Sequence, residues 1–368
     1  MNVIGLIAEY NPFHNGHKYM LNQIKKKYPD SIIICILNGY FTERGNISIL
    51  SKEDKTKIAL SNNIDIVLEL PFIYGTQSAD IFAYNSIKIL NEYKIDTLIF
   101  GSESNNINTL NKIVDLQSNN NYDELVENYL DQGFNYPTSL AKALNIEFDF
   151  KPNDLLGISY IKAIRKINPN IKVETIKRTN EYHDIELDSS IVSASNIRER
   201  LRNKEDISKY LPEEVLKKIN NISNDDVYNL LKFKILTDKD LSVYLDVDEG
   251  LENRIMKYIN ESKSIDELIS NIKTKRYTYN KINRMLVHIL IGLTKKDNQR
   301  LQLEYTKILG FTPKGQEYLK TIKKELTLPT TPPKDSLIFA YELKAAYIYE
   351  QTLKKSLNDF DKKNIPIK

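Results

Sequence analysis

Asn11-Pro12-Phe13-His14-Asn15-Gly16-His17 follows directly on the short apolar run Val3-Ile4-Gly5-Leu6-Ile7-Ala8. Together they read as a first β-strand, a proline-stiffened loop and the opening turn of a helix. Asn-Pro disfavours the α region at Asn11, which keeps the loop open before the helix starts. Two imidazoles three residues apart bracket Gly16, which has no Cβ to hold a ligand off the backbone. A helix start offers free N–H groups and the positive end of a dipole, a ready site for a phosphate. In an open α/β sheet such a site lies at the carboxyl edge of the strands.

Working outward, strand and helix patterns alternate through the first 200 residues. Strands are expected at 3–8, 31–37, 64–70, 96–100 and 171–176, all short, apolar and rich in β-branched residues, as strands covered on both faces should be. Amphipathic helices are expected near 16–28, 51–62, 78–93 and 153–168, the second opening on a Ser51-Lys52-Glu53-Asp54 cap. Such alternation predicts an α/β fold with a doubly wound, Rossmann-like parallel sheet. The Asn- and Asp-rich stretch 105–150 reads as an insertion with helical patches. Beyond residue 203 the pattern is almost wholly helical, with candidate helices at 213–221, 225–236, 248–261, 265–272, 280–293, 299–309, 314–325 and 337–357. Two domains follow, 1–203 and a helical 204–368. The charged end, 359–368, reads as loose.

Composition narrows the classes. The chain has 368 residues, 41% of them hydrophobic and 27% charged, an ordinary balance for a soluble globular protein. A single cysteine, Cys35, excludes an intramolecular disulfide and any cysteine-based zinc cluster, and fits a reducing cytoplasm. Met1-Asn2-Val3-Ile4 has no basic n-region, so no secretory signal is expected. No apolar stretch is long enough for a membrane span. A formal net charge of +3 is too small to argue for nucleic acid by itself.

Its distribution says more. Residues 271–296 hold Lys273, Lys275, Arg276, Lys281, Arg284, Lys295 and Lys296 and no acidic residue. Tyr277 and Tyr279 interleave with the basic side chains, where a base or ribose could stack. Ile282, Met285, Leu286, Ile289 and Leu290 recur at core spacing in the helix that follows, which turns a basic face outward. That face suits a phosphate backbone, and an ordinary solvated helix face fits equally well.

If the strands are parallel, further polar residues gather at their carboxyl ends: Asn38-Gly39 and Arg44-Gly45, Gly101-Ser102-Glu103, and Lys177-Arg178, with a helix start at Pro152-Asn153-Asp154 close by. Each has a plainer reading. Asn153 alone is a helix N-cap, Gly101 a turn residue, Arg178 a solvated arginine, and His14/His17 an idle loop pair or half of a zinc site. A zinc pair would need more ligands, and only His183 and His288 remain as imidazoles. His288, inside an apolar helical pattern, reads as structural.

The ordered set of motifs resembles the tRNA(Met) cytidine acetate ligase family, within the His-x-Gly-His nucleotidyltransferases. It runs through Gly5–His17, Asn38–Gly45, Leu68-Glu69-Leu70-Pro71, Phe100–Glu103, Lys151–Asp154, Ser193-Ala194-Ser195-Asn196-Ile197-Arg198, Lys275–Thr278 and Leu309-Gly310-Phe311. It departs in one loop, where Tyr40 and Glu43 stand at positions the family usually fills with Asn and Gln. The resemblance implies ATP-dependent activation of acetate to acetyl-adenylate. Acetyl transfer to N4 of the wobble cytidine of elongator tRNA(Met) follows, with Mg²⁺ masking the leaving pyrophosphate. It implies His14 and His17 as catalytic donors to phosphate oxygens. It implies ATP enclosed by Ile7, Ala8, Glu9, Tyr10, Asn11, Pro12, Phe13, His14, Asn15, Gly16, His17, Lys18, Tyr19 and Met20, together with Gly101, Asn153 and Arg178. Ser193, Ser195 and Arg198 would open a helix suited to the β and γ phosphates. Lys273, Lys275, Arg276, Tyr277, Lys281 and Arg284 are the RNA candidates, and no protein-held metal is expected. Two other readings stay open: a small-molecule adenylyltransferase, and an RNA-binding protein with a vestigial nucleotide site.

Overall fold

The computed structural model describes residues 1–118, 121–134, 136–178, 190–248, 250–274, 277–353, 360–363 and 365–368. His183, Lys275 and Arg276, and the ends of several expected helices, lie outside them. Numbering helices of eight residues or more, the first half runs β1 (Val3–Ala8), α1 (Asn15–Lys27), β2 (Ile32–Asn38), α2 (Lys52–Ser61), β3 (Ile66–Leu70), α3 (Ala79–Glu92) and β4 (Thr97–Ser102). The insertion holds α4 (Ile107–Gln117), α5 (Tyr122–Asp131) and α6 (Tyr136–Leu144); α7 (Pro152–Ile167), β5 (Lys172–Lys177) and α8 (Ala194–Arg202) follow. The second half contributes α9 (Tyr228–Thr237), α10 (Leu251–Tyr258), α11 (Ile265–Ile272), α12 (Tyr279–Ile291), β6 (Ile308–Phe311), α13 (Pro313–Ile322) and α14 (Leu337–Leu353).

The sheet order is β5-β4-β1-β2-β3-β6. β1 to β5 are parallel, as expected, so their carboxyl ends share one edge, and the winding reverses between β1 and β4. Both faces are covered. Along β2, Ile32, Ile34 and Ile36 enter one core with Phe82 and Ala83 of α3, whereas Ile33, Cys35 and Leu37 enter the other with Leu21 and Ile24 of α1 and Ile58 of α2. That is the period-two alternation of a strand buried on both sides.

Three expectations are corrected. The stretch read as a helix at 299–309 is instead a short helix, Lys295–Arg300, followed by β6, which runs antiparallel beside β3 and extends the sheet. The expected helix 213–221 is confined to Glu213–Leu216. The charged end is not loose where it is described: Phe360–Lys363 is helical, Asp361 is buried, and Ile367 bridges to Gly310. Asp361 and Tyr40, with Glu69 of β3 and Glu342 of α14, surround Lys52, whose ammonium bonds all three carboxylates with no exposure to solvent. Opposite charges so placed satisfy one another where none alone could be buried.

Candidate active site

β1 ends at Ala8, and the next residues turn across the sheet edge; Tyr10 takes a left-handed φ of 46° and the Asn11–Pro12 peptide is cis. Tyr10 and Phe13 are buried and meet edge to face at 4.9 Å, and Tyr10 meets the His17 ring at the same distance. On this floor His14 is the N-cap of α1, with extended backbone. Its Nδ1 accepts the Gly16 N–H at 3.0 Å, and the Nδ1 of His17 accepts the His14 N–H at 3.1 Å. The two rings stack with centroids 3.8 Å apart. A Cβ on Gly16 would lie 2.8 Å from His14 Cε1, so the glycine here is required first by the histidine.

An Nδ1 that accepts a hydrogen bond is unprotonated, so both rings carry their proton on Nε2 and present an N–H donor there. The surroundings enforce this. Burial, then Arg178, then Arg198 push the His14 pKa down to about 3. Burial, His14 and Arg178 hold His17 well below its ordinary value. Both imidazoles are neutral donors at physiological pH.

The remaining candidates converge from β4, β5, α7 and α8. Arg178 follows β5, and its backbone N–H reaches Ser102 O at 2.9 Å. A Cβ on Gly101 would stand 3.2 Å from Arg178 Cγ, so Gly101 leaves room for that side chain. Asn153 is not the N-cap expected for it: Lys151 occupies that position, and Asn153 is the second helical residue of α7. The end of α7 is capped from outside by Glu103, which accepts from Asn153 Nδ2 at 2.5 Å and from the Asp154 N–H at 3.1 Å. Asn153 Oδ1 in turn accepts from Arg178 Nη1 at 3.4 Å. Glu103 was legible only as part of a motif; its role depends on a helix fifty residues further on.

Ser193 caps α8 through the Asn196 N–H at 3.2 Å, and its hydroxyl pairs with Ser195 at 2.9 Å. Arg198 Nη1 donates to Asn11 O at 2.6 Å, and Asn15 Nδ2 reaches Ser190 O at 3.3 Å. These contacts set the start of α8 beside the start of α1, which His14 caps, and Arg178 and Arg198 lie within electrostatic reach of the His14 ring. Such a place accepts a polyanion. Within α1, Lys18 is exposed and Tyr19 and Met20 are half-buried.

The basic candidates of the second half are differently placed. Lys273 is exposed. Lys281 pairs with Asp248 at 2.8 Å and lies 4.8 Å over the ring of Tyr277, which is buried. Tyr279 is the exposed tyrosine of the two, its hydroxyl donating to Asp266. Arg284 turns inward to Glu43 at 3.2 Å. His288 is buried, with Nε2 2.8 Å from Thr76 O, the structural place expected of it. Lys55 of α2 is fully buried, its ammonium donating to Asn38 O at 2.7 Å, Gly39 O at 2.5 Å and Glu9 O at 3.2 Å.

This fold and loop define a nucleotidyl transferase of the HIGH type, and the HIGH Nucleotidyl Transferase family profile matches residues 1–364. A tRNA(Met) cytidine acetate ligase of Fusobacterium nucleatum is 39% identical over 346 residues, covering 88% of this chain and 85% of that protein. One of Clostridium tetani is 36% identical, covering 99% and 100%. The crystal structure of Thermotoga maritima TmcAL, apo form I, superposes with a TM-score of 0.87 at 27% identity, covering 100% of this chain and 99% of that one. The same protein bound with alpha-thio ATP gives 0.85 at 26% identity, again over 100% and 99%. The chain belongs to the tRNA(Met) cytidine acetate ligase family.

Proposed function

We propose that this chain is an ATP-dependent tRNA(Met) cytidine acetate ligase. The observation that carries the reading is the stacked, neutral histidine pair at the start of α1, each ring aimed by a backbone hydrogen bond, with Arg178 and Arg198 within electrostatic reach of His14. An acetate oxygen attacks the α-phosphorus of ATP, the bond to the β-phosphate oxygen breaks, and pyrophosphate leaves, giving acetyl-adenylate. Both reactants are anions, so catalysis is chiefly positioning and charge stabilisation. The Nε2–H groups of His14 and His17 donate to phosphate oxygens, Arg178 and Arg198 balance charge, and Ser193 and Ser195 receive the outer phosphates at α8. Ile7 to Met20, Gly101 and Asn153 enclose the nucleotide. Magnesium arrives as part of the MgATP substrate. Among the described residues the one cluster of three carboxylates, Glu69, Glu342 and Asp361, is filled by Lys52.

In the second step the cytidine N4 attacks the acetyl carbonyl carbon, AMP leaves, and N4 gives up one proton, forming N4-acetylcytidine. Residues 204–368 form the RNA-holding half, with the stretch around Lys273, Lys275, Arg276, Tyr279 and Lys281 tracking phosphates of elongator tRNA(Met). The RNA substrate fits a cytoplasmic enzyme. Among the described residues no helix is long and apolar enough to cross a membrane.

Pyrophosphate release from ATP tests the reading. Wild type should release it only with acetate present, and turnover to N4-acetylcytidine should need tRNA(Met). His14→Ala and His17→Ala should each abolish release while tRNA affinity persists. Release indifferent to acetate, or driven by a small-molecule acceptor, would reject the proposal.

A further inference from the structure

We infer that Arg284 of α12 is a positioning residue for acetate activation, acting through Glu43 and Glu9 on the histidine loop, and is not an RNA phosphate contact. The inference rests on the activity proposed above. It starts from the direction of the side chain. A residue that tracks phosphates is solvated and free to reorient, but the Arg284 side chain is only 14% exposed. Nη1 donates to Glu43 Oε1 at 3.2 Å, and Nε is buried with no hydrogen-bond partner. That inward commitment leaves a donor unsatisfied, a cost a surface residue would avoid by turning out to water.

The loop that receives Arg284, residues 39–50, is gripped at both ends. On the α12 side, Asn283 Nδ2 donates to Arg44 O at 2.8 Å. Gly45, at φ 79°, packs so closely that a Cβ would stand 2.9 Å from the Arg284 backbone nitrogen. On the histidine side, Asn11 Oδ1 accepts the Ile49 N–H at 2.9 Å and Asn11 Nδ2 donates to Ile47 O at 3.2 Å. Between the two, the Glu43 N–H donates to Glu9 Oε1 at 2.6 Å, and that same oxygen accepts Asn38 Nδ2 at 3.1 Å. Glu9 is the residue that follows β1 and opens the loop carrying His14. The helical half therefore sets the loop that aims the histidines, through one ion pair and a run of hydrogen bonds.

The charges around this link define its pH signature. Glu43 faces Arg284 from α12, Arg44 in its own loop at 3.8 Å, and Glu9 beyond β1; Tyr160 of α7 lies within electrostatic reach of it, and Asp246 within reach of Arg284. Burial pushes the Glu43 carboxyl up to about 7, with Arg284 and Arg44 pulling down and Glu9 pushing up. Ionised Glu43 holds Arg284, so activation gains as pH rises through that region. Without the guanidinium the carboxyl keeps its proton to higher pH.

Acetate-dependent ATP–pyrophosphate exchange in the full chain, without tRNA and across pH 5.5–9.5, tests this, with tRNA(Met) binding across a salt series as the second readout. Arg284→Met should slow exchange at neutral pH by about ten- to a hundredfold. It should also flatten the acidic limb of the profile, because ionised Glu43 then has no guanidinium to hold, and Arg284→Lys should restore part of the rate. The tRNA affinity and its salt slope should stay as in wild type, whereas loss of a phosphate contact would flatten the slope by about 0.7–0.9. Glu43→Gln, which keeps size and loses only the ionisation, should remove the limb, and it decides the matter if Arg284→Met does not fold. Wild-type exchange and profile in Arg284→Met with a flattened salt slope, or a limb retained in Glu43→Gln, would overturn the inference. Absence of acetate-dependent exchange in wild type would instead reject the activity on which it rests.

Discussion

Gly16→Ala separates stability from function at the heart of the site. An added methyl would stand 2.8 Å from His14 Cε1, 3.0 Å from its Nδ1 and 3.4 Å from Ile191 Cγ2. The imidazole must give way, yet it is 4% exposed and stacked 3.8 Å from His17. The movement open to it rotates the ring off the Gly16 N–H and breaks the 3.0 Å bond that keeps Nδ1 unprotonated and Nε2–H aimed. Losing that cap costs about 1 kcal/mol. Alanine in place of glycine inside a helix returns about 0.8–1 kcal/mol. Net stability should thus change by under about 1 kcal/mol, a Tm shift of only a few degrees.

Activity should not be spared. A misaimed donor to developing phosphate charge costs about 3–4 kcal/mol, or roughly a hundred- to a thousandfold in rate. Acetate-dependent ATP–pyrophosphate exchange without tRNA reads the activation step alone, and thermal unfolding of the same sample reads the fold. Exchange within threefold of wild type would refute the view that the Gly16–His14 bond aims the donor. A Tm lowered by ten degrees or more would refute the stability argument instead.

Two further outcomes concern stability. Lys52→Met leaves Glu69, Glu342 and Asp361 buried without their shared cation, and should cost about 3–5 kcal/mol in urea unfolding at pH 7; a loss below about 1 kcal/mol would show that the cluster does not hold the chain end to the sheet. His14 titrates at about 3 in the folded chain against about 6.5 unfolded. Its depressed pKa means stability fully present above pH 6.5 and lost as pH falls towards 3, up to about 4–5 kcal/mol in all. His14→Gln should therefore flatten the pH dependence of the urea midpoint between pH 6.5 and 4, and an unchanged slope would mean His14 takes up its proton as readily folded as unfolded.

What the sequence revealed and what it hid follow one physical distinction. β1, its loop and the start of α1 are legible because local rules decide them: apolar run, Asn-Pro, then a polar cap and glycine. β1 to β4 are legible because burial on both faces writes nearly continuous apolar runs, whereas β5, half-exposed at the sheet edge, is marked by its β-branched Val173, Thr175 and Ile176. β6 is not, because Ile308–Phe311 is four residues long and its partner β3 lies some 240 positions earlier. The chain end misleads for a related reason. Asp361 looks like a solvated charge until Lys52, 309 residues away, is brought beside it. Lys55 and Arg284 are hidden likewise: a basic residue on an amphipathic helix reads as surface, and only the folded chain supplies the carbonyls or carboxylate that admit it to the interior.

The neutrality of the histidine pair is itself a consequence of its geometry. Two unit charges 3.8 Å apart repel by about 4 kcal/mol at an effective dielectric of 20, so both rings cannot be protonated in this stack. Burial and the nearby arginines remove the remaining proton. Fixed positive charge is left to Arg178 and Arg198, which under the proposed function attract the nucleotide before any bond changes. The imidazoles contribute dipolar donors held by backbone bonds, and in the proposed activation step these gain most as charge builds on the phosphate oxygens. Donors aimed in advance need no reorganisation at that moment, and this gives them their value in the transition state over the ground state. The division of labour explains why a glycine, a cap and a strand end are arranged around two side chains that carry no charge.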